Sequence, residues 1–257
     1  MEQIARDVYR LPLGSGWQAV NAYLIGTAAG WCLVDAGWVK HAADIRRAAD
    51  ELFGAGARPA AIVLTHCHPD HAGAARELAR GWGCEVWMDA RDLPLANPDA
   101  RAVRECGGPL DRWVILPVMR LSGERHMRAM LEAGSLGDLA RGLEPVAAVP
   151  GLPGWTVVPT PGHTPGHVAL WREDDGVAVT GDAVVTVGLN SPLDLVRPRP
   201  KLGYPPWITT WDWAAAKASA AAILRRSPSL VAPGHGAPMR GADLAARLGG
   251  AAPRHTP

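Results

Sequence analysis

The residues with the clearest capacity for chemistry lie in the segment THCHPDH at 65–71. Three histidines and one aspartate occur there within seven positions, directly after the apolar run AAIVLT. Imidazole nitrogens and carboxylate oxygens are ligands that zinc accepts in proteins. Taken alone, the segment fits either a metal site or a polar turn, and the choice depends on what the rest of the chain supplies.

Three further segments place histidine or aspartate at the same kind of position. WTVVPTPG leads to His163, GVAVTG to Asp182, and SLVAPG to His235. Each segment predicts a strand that ends in glycine or proline, where the chain can turn sharply. Catalytic groups are often found on loops that a rigid sheet holds in place. A structural turn would explain His163 by itself. It does not explain why all four predicted strands are followed by a histidine or aspartate that could bind metal.

These segments together contain seven potential ligands, more than the three or four protein ligands of one catalytic zinc ion. The set therefore suits two ions with one bridging carboxylate and an open position for hydroxide. In an extended segment His66 and His68 point to the same side, and Cys67 points away, where packing is its favoured role. Asp70 and His71 would turn toward the second ion.

Short strands and helices alternate in both halves of the chain and must position these ligands. Helices are expected at about 40–53, 72–82 and 212–226, and strands at DVYRLPL, NAYLIGT, WCLVDAG, AAIVLT, CEVWM, WTVVPT, VALWR, GVAVTG and SLVAPG. We therefore predict a single α/β domain over 1–257, an αββα sandwich of two mixed β-sheets face to face with helices outside. The sequence of residues 91–150 predicts a helical insertion between the two halves. This insertion is either a lid that covers the substrate or a helical hairpin of the core.

The composition indicates an ordinary soluble globular protein. The chain has 257 residues, 48% of them hydrophobic, and a net charge of +1, so a surface for nucleic acid is not expected. The four cysteines are scattered without a C-x-x-C pair, which favours reduced thiols and a cytoplasmic location. No apolar run approaches the ~20 residues of a membrane span, and a signal-peptide core is not evident.

The segments THCHPDH, PTPGHTPGH, VTGDA and APGHG, in that order, resemble the motifs of the metallo-β-lactamase-fold hydrolases. The resemblance extends from CLVDAG at 32–37 to PGHG at 233–236. It implies the αββα sandwich and a binuclear metal centre in a cleft at one edge of the two sheets. The resemblance assigns the first ion to His66, His68 and His163, the second to Asp70, His71 and His235, and the bridge to Asp182.

Two further residues are expected to have supporting roles. Asp35 in VDAG matches a family position that supports the ligand loop rather than binds metal. His167 in GHTPGH is not a ligand position in that pattern, and we expect a structural or supporting role for it rather than direct catalysis. The expected cofactor is two divalent ions, with zinc favoured and iron or manganese as alternatives. Such ions lower the pKa of a shared water and polarise a substrate carbonyl. Asp70 would orient the resulting hydroxide and pass a proton to the leaving group.

Several residues narrow the choice among the branches of this family. True β-lactamases usually lack an aspartate where Asp182 stands, and the flavo-diiron branch has glutamate where His68 stands. About twenty residues follow His235, too few for the glutathione-binding C-terminal domain of glyoxalase II relatives. The lactonase, esterase and glyoxalase-II-like branch fits best. Related lactonases carry a tyrosine near the substrate carbonyl, so Tyr204 in KLGYPPW is a candidate for that role, with ordinary packing as the alternative.

We therefore predict a dinuclear metal hydrolase that cleaves a small ester, lactone or thioester. The apolar segments RWVILPVMRL and YPPWITTWDW favour a small-molecule substrate with an apolar portion, and a homodimer is compatible with the sequence. Two alternatives stay open: a mononuclear iron enzyme of the persulfide-dioxygenase type, and a non-catalytic binding module on the same fold.

Overall fold

The computed structural model describes residues 1–28, 30–133, 135–144, 148–191, 194, 199–241, 244 and 248. Over these residues the first of two main sheets has seven strands, which neighbour one another in chain order. They are β1 (Glu2–Ala5), β2 (Val8–Leu13), β3 (Val20–Thr27), β4 (Gly30–Val34), β5 (Ala61–Val63), β6 (Val86–Asp89) and β7 (Ala140–Leu143). Neighbours from β1 to β4 are antiparallel and those from β4 to β7 are parallel, so the sheet is mixed.

The second main sheet comes mostly from the other half of the chain. Its strands in the described residues are β8 (Ala148–Val149), β9 (Leu152–Pro159), β10 (Val168–Arg172), β11 (Val177–Gly181), β14 (Leu230–Pro233) and β15 (Met239–Arg240). Their spatial order is β15-β14-β11-β10-β9-β8. A separate antiparallel pair is formed by β12 (Val185–Val187) and β13 (Pro200–Gly203). Only the β11–β14 pairing in the second sheet is parallel among the described pairs, so this sheet is also mixed.

Burial on both faces explains why the central strands are apolar throughout. Successive side chains of a strand point to opposite faces, and in β3 Tyr23 and Ile25 contribute to the apolar cluster between the sheets. Leu24, between them, contributes to the cluster beneath the helices that cover the first sheet. Val157 of β9 and Val179 of β11 reach the central cluster from the opposite sheet. A shift of one residue would exchange these two faces, so packing fixes the register.

The described helices lie outside the sheets or in the segment between the two halves. They are α1 (Ala42–Phe53), α2 (Pro69–Ala72), α3 (Ala75–Trp82), α4 (Leu93–Ala96), α5 (Ala100–Cys106), α6 (Leu116–Leu121), α7 (Glu124–Ala133) and α8 (Trp213–Arg225). Ile45 of α1 and Leu78 of α3 pack on the first sheet, and Ile223 of α8 packs on the second. This layering confirms the predicted αββα sandwich.

The helix predicted over 72–82 differs from the structure at its start. The chain becomes helical at Pro69, forms the short helix α2, and begins α3 only at Ala75. Proline suits a first helical turn because its missing N–H has no partner there in any case. Gly73 lies between the two helices, where a Cβ would be only 2.4 Å from the Pro69 carbonyl oxygen and 2.5 Å from the Val39 nitrogen.

The predicted insertion over 91–150 is helical only in its first part. Helices α4 to α7 fall within it, but Ala140–Leu143 is strand β7 of the first sheet and Ala148–Val149 is strand β8 of the second. The expected boundary at 150 was therefore wrong. The segment ARGL has too little apolar alternation to predict a strand, and it becomes one by pairing in parallel with β6.

Two observations concern the expected cellular setting. All four cysteines are free, namely Cys32, Cys67, Cys84 and Cys106. The sequence does not predict a disulfide framework either. Among the described residues, no helix combines the length and apolar character needed to cross a bilayer. The cytoplasmic location itself stays a prediction.

Candidate metal centre

The seven residues predicted as ligands come from four loops, each at the carboxyl end of a strand. His66 and His68 follow β5, and α2 then supplies Asp70 and His71. The remaining three follow β9, β11 and β14: His163, Asp182 and His235. Backbone hydrogen bonds join these loops, as the Val168 nitrogen donates to the Thr65 carbonyl at 2.8 Å and the Gly234 nitrogen donates to the Gly181 carbonyl at 2.7 Å.

The structure brings all seven side chains together. Their ligand atoms form three overlapping groups, each within 4.8 Å: His66, His68 and His163; His66, His71 and Asp182; and Asp70, His71 and His235. The first group and the third correspond to the two ligand sets that the resemblance implies.

Asp182 lies between those two groups. Its Oδ2 is 3.3 Å from His163 Nε2 and 3.4 Å from His235 Nε2, while its Oδ1 is 3.5 Å from His71 Nε2. Asp70 Oδ2 is 3.3 Å from His235 Nε2. One carboxylate therefore faces histidines of both groups, as a bridging ligand requires.

Four of the histidines use Nδ1 for contacts outside the centre, which directs Nε2 inward. His66 Nδ1 lies 3.1 Å from Thr65 Oγ1, and His163 Nδ1 lies 3.1 Å from Thr210 Oγ1. His235 Nδ1–H donates to the Ala19 carbonyl at 2.7 Å, and His71 Nδ1–H donates to Asp35 Oδ2 at 2.8 Å. Such outer contacts fix the tautomer and orientation of a metal-binding imidazole.

Asp35 supports the ligand loop at two points. Besides accepting from His71, its carboxylate accepts from the Thr65 backbone nitrogen at 2.8 Å. The side chain is fully buried, and its backbone has a φ of 59°, a left-handed conformation that aspartate and asparagine tolerate better than most residues. This sharp turn directly after β4 aims the carboxylate at the metal centre.

His167 holds the bridging residue rather than facing the centre. Its Nε2 accepts from the Asp182 backbone nitrogen at 3.0 Å, so the proton must be on Nδ1, which donates to Thr160 Oγ1 at 2.8 Å. The ring is fully buried. These contacts fix where the chain turns out of β11 and presents the Asp182 carboxylate.

Gly234 allows the last ligand loop to approach the others. A Cβ at this position would lie 2.3 Å from Asp182 Oδ1 and 2.6 Å from His71 Cε1. Any larger residue would push these two groups apart. The glycine before His235 is therefore required by close packing at the centre.

Burial and charge shift the pKa values of the histidines in two directions. Burial lowers the pKa of His68 to about 3, with a further contribution from His163, and lowers that of His66 well below its ordinary value. Burial also disfavours the charged form of His71. The negative charges of Asp35 and the neighbouring carboxylates outweigh this effect of burial, and they raise the pKa of His71 to about 9. His66 and His68 are thus held as neutral imidazole, the form that binds metal.

The buried polar atoms of the centre fit a pair of cations. Among the described side chains, His66 Nε2, His71 Nε2 and Asp182 Oδ1 are buried without a hydrogen-bond partner. An unsatisfied buried polar group costs about 1–3 kcal/mol, so three at one place call for a common partner. These atoms are all potential metal ligands from different loops, and a metal ion would satisfy them.

Tyr204 and Cys67 occupy different surroundings. The Tyr204 ring meets the Trp213 ring edge-on at a centroid distance of 5.7 Å and packs against the apolar cluster beneath α8. Its contribution to catalysis stays a prediction. Cys67 packs against the apolar cluster of the first sheet, in line with the expected packing role.

Several residues that shape the centre were not found from the sequence. The hydroxyls of Thr65 and Thr210 and the carbonyl of Ala19 orient ligand rings. Asp92 is fully buried and contacts two ligand loops. Asp92 follows strand β6, and the ligand residues also follow the ends of strands, so its position in the sequence is a signal. The signal is not specific, because Asp89 at the end of the same strand binds Arg91 instead.

Comparison with known proteins agrees with this geometry. The family model described as the metallo-beta-lactamase superfamily matches residues 15–235. The chain belongs to the metallo-β-lactamase superfamily. The match spans all four ligand loops, and the resemblance inferred from the motifs is confirmed.

Individual relatives support a metallo-hydrolase. "Probable metallo-hydrolase YflN" of Bacillus subtilis (strain 168) is 33% identical over 239 residues, which cover 90% of this chain and 86% of that protein. The hydroxyacylglutathione hydrolase GloC of Haemophilus influenzae is 27% identical over 137 residues, and the match covers 50% of this chain and 51% of GloC. The crystal structure of TTHA1623 in a di-iron-bound form is 27% identical with a TM-score of 0.58, covering 93% of this chain and 98% of that chain.

Proposed function

We propose that the protein is a metal-dependent hydrolase that uses two metal ions to cleave a small ester, lactone or thioester. The observation that carries the proposal is the convergence of seven His and Asp side chains from four loops, with three of their buried polar atoms unpaired. The hydrolase names of YflN and GloC support the reaction class.

The donor set suits two divalent ions. Imidazole and carboxylate are ligands for zinc, and zinc is the proposed metal. Iron is the alternative suggested by the di-iron form of TTHA1623. His66, His68 and His163 would hold one ion, Asp70, His71 and His235 the other, and Asp182 both. When bound, such ions supply an activated water near neutral pH and polarise the carbonyl of the substrate.

The two carboxylates of the centre differ in exposure. The Asp182 side chain is 3% exposed, whereas that of Asp70 is 20% exposed. This difference fits Asp182 as an interior bridge and Asp70 as the group that meets water and substrate. We assign Asp70 the orientation of the attacking water and the transfer of its proton to the leaving group.

Exposed tryptophans beside the ligand loops favour a substrate with an apolar portion. Trp17 is 73% exposed and lies two residues before Ala19, the partner of His235. Trp207 is 52% exposed and follows Pro206, whose carbonyl accepts from the Thr210 hydroxyl beside His163. Large apolar side chains around a polar centre suit an acyl chain or ring. Exposed Trp113 and Leu121 in the insertion could serve a lid or a homodimer equally well.

A substrate panel on protein of known metal content tests the proposal. Metal-free protein is loaded with zinc, bound metal is counted, and esters, lactones and thioesters with short and long acyl groups are assayed. We expect hydrolysis that requires zinc and improves with apolar acyl groups. His68→Ala should abolish it, whereas His126→Ala, which changes an exposed histidine, should not.

The two alternative functions correspond to distinct outcomes of this panel. One iron per chain without zinc in the purified protein before metal removal, together with oxygen consumption, would replace the hydrolase by an iron oxygenase. Fully loaded protein that hydrolyses nothing in the panel would favour a binding module.

A further inference from the structure

Asp92 is a buried carboxylate that the ligand assignment does not use. It ends the short 3-10 turn Ala90–Asp92 that follows β6, and its side chain has no exposed surface. Burial raises its pKa to about 6, although its hydrogen bonds oppose that rise. A buried carboxylate needs hydrogen-bond partners that offset its loss of water.

Those partners belong to two different ligand loops. Asp92 Oδ2 accepts from the Cys67 backbone nitrogen at 3.2 Å and from Thr164 Oγ1 at 2.7 Å. Its Oδ1 accepts from the Gly166 backbone nitrogen at 2.6 Å. Cys67 lies between His66 and His68 in the sequence, and Thr164 directly follows His163. One carboxylate therefore joins the two loops that supply every histidine assigned to the first ion.

The fit between Asp92 and the second loop is close. A Cβ at Gly166 would lie 2.6 Å from the Asp92 nitrogen and 2.8 Å from its Oδ1, so only glycine lets the loop approach this far. The adjacent cation, Arg91, pairs with Asp89 at 2.8 Å instead. Asp92 is thus free to accept three hydrogen bonds from the loops.

The second ion's ligands are held by other groups. His71 Nδ1 is fixed by Asp35, and His235 Nδ1 is fixed by the Ala19 carbonyl. Neither Asp35 nor Ala19 contacts Asp92 in the described hydrogen bonds. Asp70 and His71 follow Cys67 in the same segment, but their own described outer contacts do not involve Asp92, so a change at Asp92 should affect the first ion's ligands more than those of the second.

We propose that Asp92 is a positioning residue for the first metal ion, which holds the His66–His68 loop at a fixed separation from His163. The proposal rests on the two-ion centre described above. Residues that support metal ligands change metal affinity by about 10- to 100-fold when replaced. We expect a loss of that size at the first site.

Zinc affinity measured in two single-site backgrounds tests the proposal. His235→Ala weakens the second site and reports on the first, whereas His68→Ala does the reverse. Competition with a chromophoric chelator should show that Asp92→Asn lowers zinc affinity about 10- to 100-fold in the His235→Ala background. In the His68→Ala background the affinity should change much less. Asp89→Asn, a buried carboxylate on the same turn, is the matched control and should change neither.

A merely structural role predicts a different pattern. The positioning role is overturned if Asp92→Asn lowers the thermal midpoint of unfolding but leaves zinc affinity at the first site intact. It is also overturned if zinc affinity falls equally at both sites. Should Asp92→Asn fail to fold, Thr164→Val removes one of the three donors and must still weaken the first site selectively. Because no assay here uses hydrolysis, an inactive protein that binds two zinc ions would contradict the proposed function and leave this inference standing.

Discussion

Replacing Asp35 by asparagine isolates the contribution of one buried carboxylate to metal binding. Asparagine has the same shape and tolerates the φ of 59° at this position, so the turn after β4 should persist. The Asp35 carboxylate accepts from His71 Nδ1 at 2.8 Å and from the Thr65 nitrogen at 2.8 Å. The amide has one oxygen and cannot accept from both.

The size of the effect follows from these contacts. If the amide oxygen faces Thr65, its NH2 group faces His71 and forces the tautomer that has hydrogen on Nε2, the atom that should bind metal. If the oxygen faces His71, two donors oppose each other at Thr65. A hydrogen bond to a charged group contributes about 1.5–3 kcal/mol, and each 1.4 kcal/mol is about tenfold in affinity. Zinc affinity at the second site should therefore fall about 10- to 100-fold.

Zinc competition with a chelator, in the His68→Ala background, measures this loss directly. Asp7→Asn is the matched control, because Asp7 is an exposed aspartate with nearly the same φ, 58°. It should not alter zinc affinity. Native affinity in Asp35→Asn would refute the view that this carboxylate orients His71 for metal binding.

Three further outcomes are expected. Asp182→Ala should lose both ions, because Asp182 faces histidines of both groups, and native metal content by elemental analysis would contradict the bridging assignment. Tyr204→Phe should keep full metal content and alter turnover modestly, and unchanged kinetics on the best substrate would remove its predicted role. Burial raises the pKa of Asp92 from 3.8 to about 6, so the ionised group opposes folding as pH rises. From about pH 4 to pH 7, the free energy of unfolding of the native metal-free chain should fall by about 2 kcal/mol relative to that of Asp92→Asn, measured by denaturant unfolding. A difference that does not vary with pH would contradict this shift.

The ligands were predictable because their signal is local. Each of His66, His163, Asp182 and His235 follows an apolar strand closely in the sequence, and the sheets then fix where those strands end. The αββα layers followed from the same alternation of strands and helices.

The supporting contacts were not predictable in this way. His235 depends on the carbonyl of Ala19, a backbone group that has no side-chain signal and lies 216 positions away in the chain. Thr210 and Asp92 have ordinary side chains whose role arises only when distant loops meet. Strand β7 is similar, because its four residues become a strand through pairing with β6 rather than through their own pattern.

Hydrolysis should depend on two metal ions held by the converging loops. Adding zinc in steps to metal-free protein, with bound zinc and substrate hydrolysis measured in the same samples, tests this dependence most directly. The proposed centre predicts that hydrolysis rises with zinc and reaches its maximum at two bound ions per chain, in keeping with seven ligand residues. Hydrolysis that is undiminished without metal, or absent with both ions bound, would contradict it.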